Sequence, residues 1–247
     1  GDKVELVAIV NDVVGVFASA EPGPLQTVTI SGLDITGDDK DNYFLTQPTL
    51  MAKIFRRELL VIGITTADKV YDGTTEATLV GTDAAILVGV VGGDDVTLND
   101  DLAAGFFADA NAGPLQTVTV SGLILKGADA DSYSLTQPTP TAKIVPKELT
   151  VEGILARWKE YDGTTEATLV GTATAILVGV VGGDDVTLND DLAEGVFVEP
   201  YAGPSQPVTV SGLILEGIHA DNYSITQAMP TAKIVPKELT VEGILAR

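Results

Sequence analysis

Two periods run through this chain. The short one is alternation: Leu149-Thr150-Val151, Val118-Thr119-Val120 and Val96-Thr97-Leu98 each set apolar side chains two apart, with a threonine between them. Successive side chains of an extended chain point to opposite faces, so Val118 and Val120 share one face. Ala85 to Val91 is a continuous apolar run, which predicts a buried strand. Gly and Asp clusters divide these segments: Asp72-Gly73, Gly92-Gly93-Asp94-Asp95, Ala112-Gly113-Pro114 and Gly127. Turn signals at such intervals predict an all-β fold. No stretch keeps a helical period for several turns; one short helical turn is expected at Ala128 to Ser132.

The long period is 90 residues. YDGTTEATLVGT begins at Tyr71 and again at Tyr161, and TAKIVPKELTVEGILAR begins at Thr141 and again at Thr231. Between 71–157 and 161–247, 70 of 87 positions are identical. The first 65 residues follow the same register: Gly15 matches Gly105 and Gly195, and Asn42-Tyr43 matches Ser132-Tyr133 and Asn222-Tyr223. Upstream of Gly15, Gly1 to Leu6 matches Gly93 to Leu98 once two residues are inserted. The chain therefore divides into a partial unit at 1–56, full units at 57–146 and 147–236, and the first strand of a further unit at 237–247. A period of 90 exceeds the 20–50 residues of solenoid repeats and fits tandem small domains, each expected to carry its own core. Pro146 and Pro236 mark the unit boundaries, where Arg56 stands in the partial unit. A proline there fixes one φ angle and limits swivel, so a stiff elongated rod is expected.

Each full unit resembles the YDG domain of large bacterial surface proteins. The resemblance rests on Lys69-x-Tyr71-Asp72-Gly73-Thr74-Thr75-x-Ala77, then Gly93-Asp94-Asp95-Val96, Gly113 with Val118-Thr119-Val120, Gly122-Leu123, Gly127-Ala128-Asp129-Ala130, Tyr133 and Ala142-Lys143-Ile144. The second unit departs from it at Ile218-His219. The resemblance implies small β-sandwich or β-grasp-like domains in a secreted or surface-anchored bacterial adhesin.

Composition narrows the chemistry. The chain has no Cys, one His and a net charge of −21. That leaves no disulfide, no thiolate zinc site, no Cys nucleophile and no HExxH helix. The acidic balance repels a phosphate backbone, so nucleic acid is not an expected partner. The longest apolar run, Ala84 to Gly93, is about half of the roughly 20 residues a bilayer span needs. No signal-peptide layout opens the sequence; an export signal would lie outside it.

In the YDGTT motif, Asp-Gly supplies the positive φ of a tight turn, and Tyr71 and Tyr161 are expected to bury their rings with the hydroxyl at the rim. The acidic clusters Asp94, Asp95, Asp100 and Asp101, with their copies Asp184, Asp185, Asp190 and Asp191, could offer oxygen ligands to Ca²⁺. They do not match the EF-hand loop, and a solvated acidic surface is the default. A glycosidase carboxylate pair would also need a substrate cleft, for which a unit of about 90 residues leaves little material. His219 replaces Asp129 and reads as surface. Trp158 is expected to pack at the junction between units. Lys53, Lys143 and Lys233 share one strand position and read as outward-facing rather than as isopeptide donors.

These readings converge on a structural stalk or fibre segment of an extracellular bacterial protein, without catalysis or cofactor. Its expected partners are neighbouring repeats or other copies of itself. The alternative is a filament subunit, joined head to tail by strand complementation between 1–56 and 237–247. In that alternative Leu239, Val241, Ile244 and Leu245 are apolar residues with no core of their own.

Overall fold

The computed structural model describes residues 1–8 and 13–243; Ile244 and Leu245 lie outside them. Among these residues the regular structure is β, with five single-turn 3-10 helices and no α-helix. One of those turns, Ala130–Ser132, falls within the segment expected to turn.

The two full repeats have the same strand plan. Each has a three-stranded sheet, a five-stranded sheet and two two-stranded ribbons. In the second repeat, Lys147–Glu152 is the central strand of the small sheet. It pairs antiparallel with Ile176–Val178 and parallel with Tyr223–Thr226. The large sheet runs Lys159–Glu160, Thr231–Val235, Gly203–Ser211, Glu194–Phe197, Glu166–Ala167. Alternation places the side chains as the sequence predicts: Leu149, Val151, Val118 and Val120 are buried, and Thr150 and Thr119 are exposed.

The apolar run at 85–91 behaves differently from its reading. Only Ile86–Val88 forms a strand, and Ile86 and Val88 are exposed while Leu87 packs inward. This strand is at the edge of its three-stranded sheet, with one face covered. An uninterrupted apolar run implies burial of both faces only for a strand with a layer on each side.

Packing divides the chain into two compact units whose limits cut through the first full repeat. One unit holds 1–65, 79–104 and 120–139. Its core is Val61, Ile64, Val120 and Leu123, with Leu87, Leu98 and Leu135 against them. Within 1–56, Val28 is the one buried apolar residue among those described. The other unit holds 66–78, 105–119 and 140–247. Its first cluster joins Tyr71, Phe107, Val118, Ala142 and Ile144 of one repeat to Leu149 and Tyr223 of the next. A separate closed core per repeat is thus not what forms at this boundary. Pro146 alone separates Thr141–Val145 from Lys147–Glu152, so the strands on either side enter one apolar layer.

Candidate functional site

The YDG motif sits at this boundary. Gly73 has φ +80°, the positive angle that an Asp-Gly turn needs. Asp72 Oδ1 accepts the Thr74 N–H at 2.9 Å and the Thr74 hydroxyl at 2.8 Å. The remaining closure comes from Lys69. Its Nζ donates to Asp72 Oδ1 at 2.8 Å, Thr74 O at 2.7 Å, Thr74 Oγ1 at 3.0 Å and Glu76 O at 2.9 Å. It also lies 5.8 Å from the centre of the Phe107 ring. Lys159 repeats the arrangement on Asp162, Thr164 and Phe197. The lysine two residues before the tyrosine is therefore the staple of the loop. Its invariant spacing within both motifs was the available signal; no contact could be read from it.

These contacts set the charges. Burial pushes Asp72 up, but the Lys69 and Thr74 hydrogen bonds outweigh it and hold the carboxyl below its usual range. Asp162 is held down to about 2 by the Lys159 hydrogen bond and those of Thr164.

Tyr71 caps the site. Its backbone N–H donates to Val145 O at 2.9 Å, and its hydroxyl donates to Asp184 Oδ2 at 3.0 Å. Asp184 also accepts the Tyr223 hydroxyl, which in turn accepts the Val181 N–H. Nearby, Asn222 Oδ1 accepts the Ala112 N–H at 2.7 Å, and its amide donates to Asn111 Oδ1 at 2.9 Å. Asn222 is the one buried polar residue among those described. Burial, then the Asp184 hydrogen bond, raise both tyrosines, Tyr223 to about 12.

Tyr161 opens the same YDGTTEATLVGT segment but is 38 % exposed, against 4 % for Tyr71. The expectation that both rings are buried fails at Tyr161. What buries Tyr71 is the segment around Val181, Asp184 and Tyr223, and nothing among the described residues occupies that place over Tyr161. Trp158 is also exposed, at 67 %, and does not pack at the junction.

Seven of the eight aspartates considered for calcium have turn or surface contacts, and Asp184 is the junction carboxylate. Asp94 and Asp184 accept tyrosine hydroxyls, from Tyr133 and from Tyr223. Asp95 Oδ2 accepts the Ala128 N–H, and Asp185 receives the His219 N–H on its carbonyl. Asp101 accepts from Asn99 and lies 3.7 Å from Lys126. Asp100 and Asp190 close turns through their carbonyls, to Ala103 and Ala193, and the Asp191 N–H donates to Asn189. Among the described residues, no three His, Cys, Asp or Glu side chains converge as a metal site. His219 Nδ1 accepts the Asp185 N–H at 2.9 Å, where Asp129 accepts the Asp95 N–H. Lys53, Lys143 and Lys233 are exposed.

The YDG-domain pattern matches residues 56–142 and again 145–231, more than half of the chain. The chain belongs to the YDG-domain family. Both YDG domains carry the lysine-stapled loop, and the tyrosine of the first reaches across to the second. No curated protein matches the sequence. Among solved structures, the I9–I11 tandem of titin aligns over 96 % of this chain and 90 % of its own, at 10 % identity and a TM-score of 0.23. No helix among the described residues is long and apolar enough to cross a membrane.

Proposed function

We propose that this chain is a structural segment of a bacterial cell-surface stalk or fibre, without catalysis. The observation that carries the reading is the junction of Tyr71, Asp184 and Tyr223. Two hydroxyls on one carboxylate, an edge-to-face ring pair and a single-residue linker couple successive YDG domains through a buried layer. Such coupling resists swivel and separation, which a load-bearing array requires. The groups with displaced pKa are tyrosines and aspartates held as hydrogen-bond partners in turns and at this junction.

The acidic surface supports the same reading. Near-identical tandem domains risk exchanging strands, and like charge opposes that contact.

Single-molecule pulling on an engineered array of 57–146 copies tests the proposal. Each unfolding repeat of 90 residues should release about 300 Å of chain at a distinct force peak. Extension without force peaks would overturn the stalk reading.

A further inference from the structure

Each full repeat leaves two strand edges free around one hollow. In the second repeat, Ile176–Val178 pairs only with Lys147–Glu152, and Thr187–Asn189 only with Ile214–Glu216. Among the described residues, their other edges carry no backbone–backbone hydrogen bond. Both strands line an open hollow of about 530 Å³, whose apolar wall includes Leu177, Val180, Val186 and Leu188. Ile176 also lines it and is 57 % exposed. The first repeat has the same hollow, of about 430 Å³, lined by Ile86, Leu87, Val90 and Leu98. Its recurrence in both full repeats makes it a built feature of the domain.

A free strand edge presents a row of unpaired N–H and C=O groups, which is a template for another strand. The hollow of the second repeat also has a charged end. Through Thr172 and Asp190 it runs into a neighbouring one of about 460 Å³, lined by Glu166, Asp190 and Glu194. None of these three carboxylates has an ion-pair partner among the described residues. In the first repeat Ala104 stands in the place of Glu194. A second copy of this chain, at a net charge of −21, is repelled from such an end. Apolar walls, free backbone edges and unpaired carboxylates together define the complementary ligand. It is extended, apolar along one side and cationic at one end.

We propose that the hollow of the second repeat binds an extended segment of another protein, apolar at alternate positions and carrying Lys or Arg. The segment adds as a strand to the free edge of Ile176–Val178. Its alternate apolar side chains enter the hollow beside Leu177 and Leu188, and its cation meets Glu166, Asp190 and Glu194. Backbone pairing supplies affinity, and the apolar wall and the carboxylates select the sequence. This binding role is independent of whether the array bears load.

Fluorescence anisotropy on the whole chain tests this, with a labelled peptide of about six residues, the usual strand length. The peptide alternates valine and threonine and has a lysine at each end. Saturable binding is expected, with slower amide exchange at Ile176–Val178. Replacing both lysines by glutamate, or methylating the peptide's backbone nitrogens, should each weaken binding at least about tenfold. The paired variant Glu166→Gln and Glu194→Gln removes only two of the chain's charges, so general attraction to a −21 surface barely changes. It should keep the melting temperature and still lose at least about tenfold in affinity. Ile176→Thr, an exposed position with a strand-compatible replacement, should do the same. The absence of saturable binding overturns the proposal, as does binding indifferent to the Gln pair and to Ile176→Thr. Equal binding of the methylated peptide overturns strand addition, and equal binding of the glutamate peptide overturns the cationic end.

Discussion

The Tyr71 ring meets the Tyr223 ring edge-on, with centroids 5.3 Å apart and planes at 77°, while both hydroxyls donate to Asp184. Such a pair adds to the apolar area it buries, because the positive edge of one ring faces the negative face of the other. Tyr71→Ala should therefore cost about 3–5 kcal/mol in urea unfolding. Tyr161→Ala, at a half-exposed copy of the same motif, should cost well under half of that. Equal losses would show that the motif tyrosine acts within its own repeat.

Lys69→Met should open the YDG loop. The ammonium has four acceptors and a side chain 16 % exposed, so its removal should cost about 1–3 kcal/mol. Faster amide exchange at Thr74, with the sheet amides of Thr141–Val145 still protected, is the expected signature.

Alkali should loosen the junction. Burial and the Asp184 hydrogen bond raise Tyr223 to about 12, above the ordinary tyrosine value near 10. A folded pKa above the unfolded one gives stability that is complete below about pH 10 and lost as the pH rises through about 12. Phenolate absorbance should rise together with loss of the near-UV dichroism of the paired rings. On the acid side the sign reverses. Asp162, depressed to about 2, supports its loop above the ordinary carboxylate range and loses that support as the pH falls through about 2.

His219→Asp should be neutral, since Asp129 accepts the equivalent N–H in the sibling repeat. His219→Leu leaves the Asp185 N–H without that acceptor and should cost about 1 kcal/mol. Thermal melts of the two variants separate an acceptor role from simple surface filling.

Salt should stabilise the chain by screening its net charge of −21. CaCl₂ and NaCl at equal ionic strength should raise the melting temperature equally. A larger calcium shift, lost in Asp94→Asn and Asp184→Asn, would reveal specific binding.

Local chemistry was legible in the sequence because it depends on neighbours along the chain. Alternation placed Val118, Val120, Leu149 and Val151 on inward faces. Asp72-Gly73 announced its turn, since glycine alone reaches φ +80° without strain. The repeat register also aligned Tyr43, Tyr133 and Tyr223 before any contact was known. Burial followed another rule. Tyr71 and Tyr161 open the same twelve-residue segment, yet one is sealed and the other half open, because the cover comes from residues more than 100 positions away. Ile86 and Val88 read as core and lie outside it, since an apolar run does not tell how many layers the sheet has. Trp158 was expected to pack at the junction between units, but it stands 67 % exposed and no described residue covers it. A single sequence determines backbone conformation and the face each side chain takes. Which faces close against one another is a free-energy balance between distant segments, and only the tertiary structure decided it.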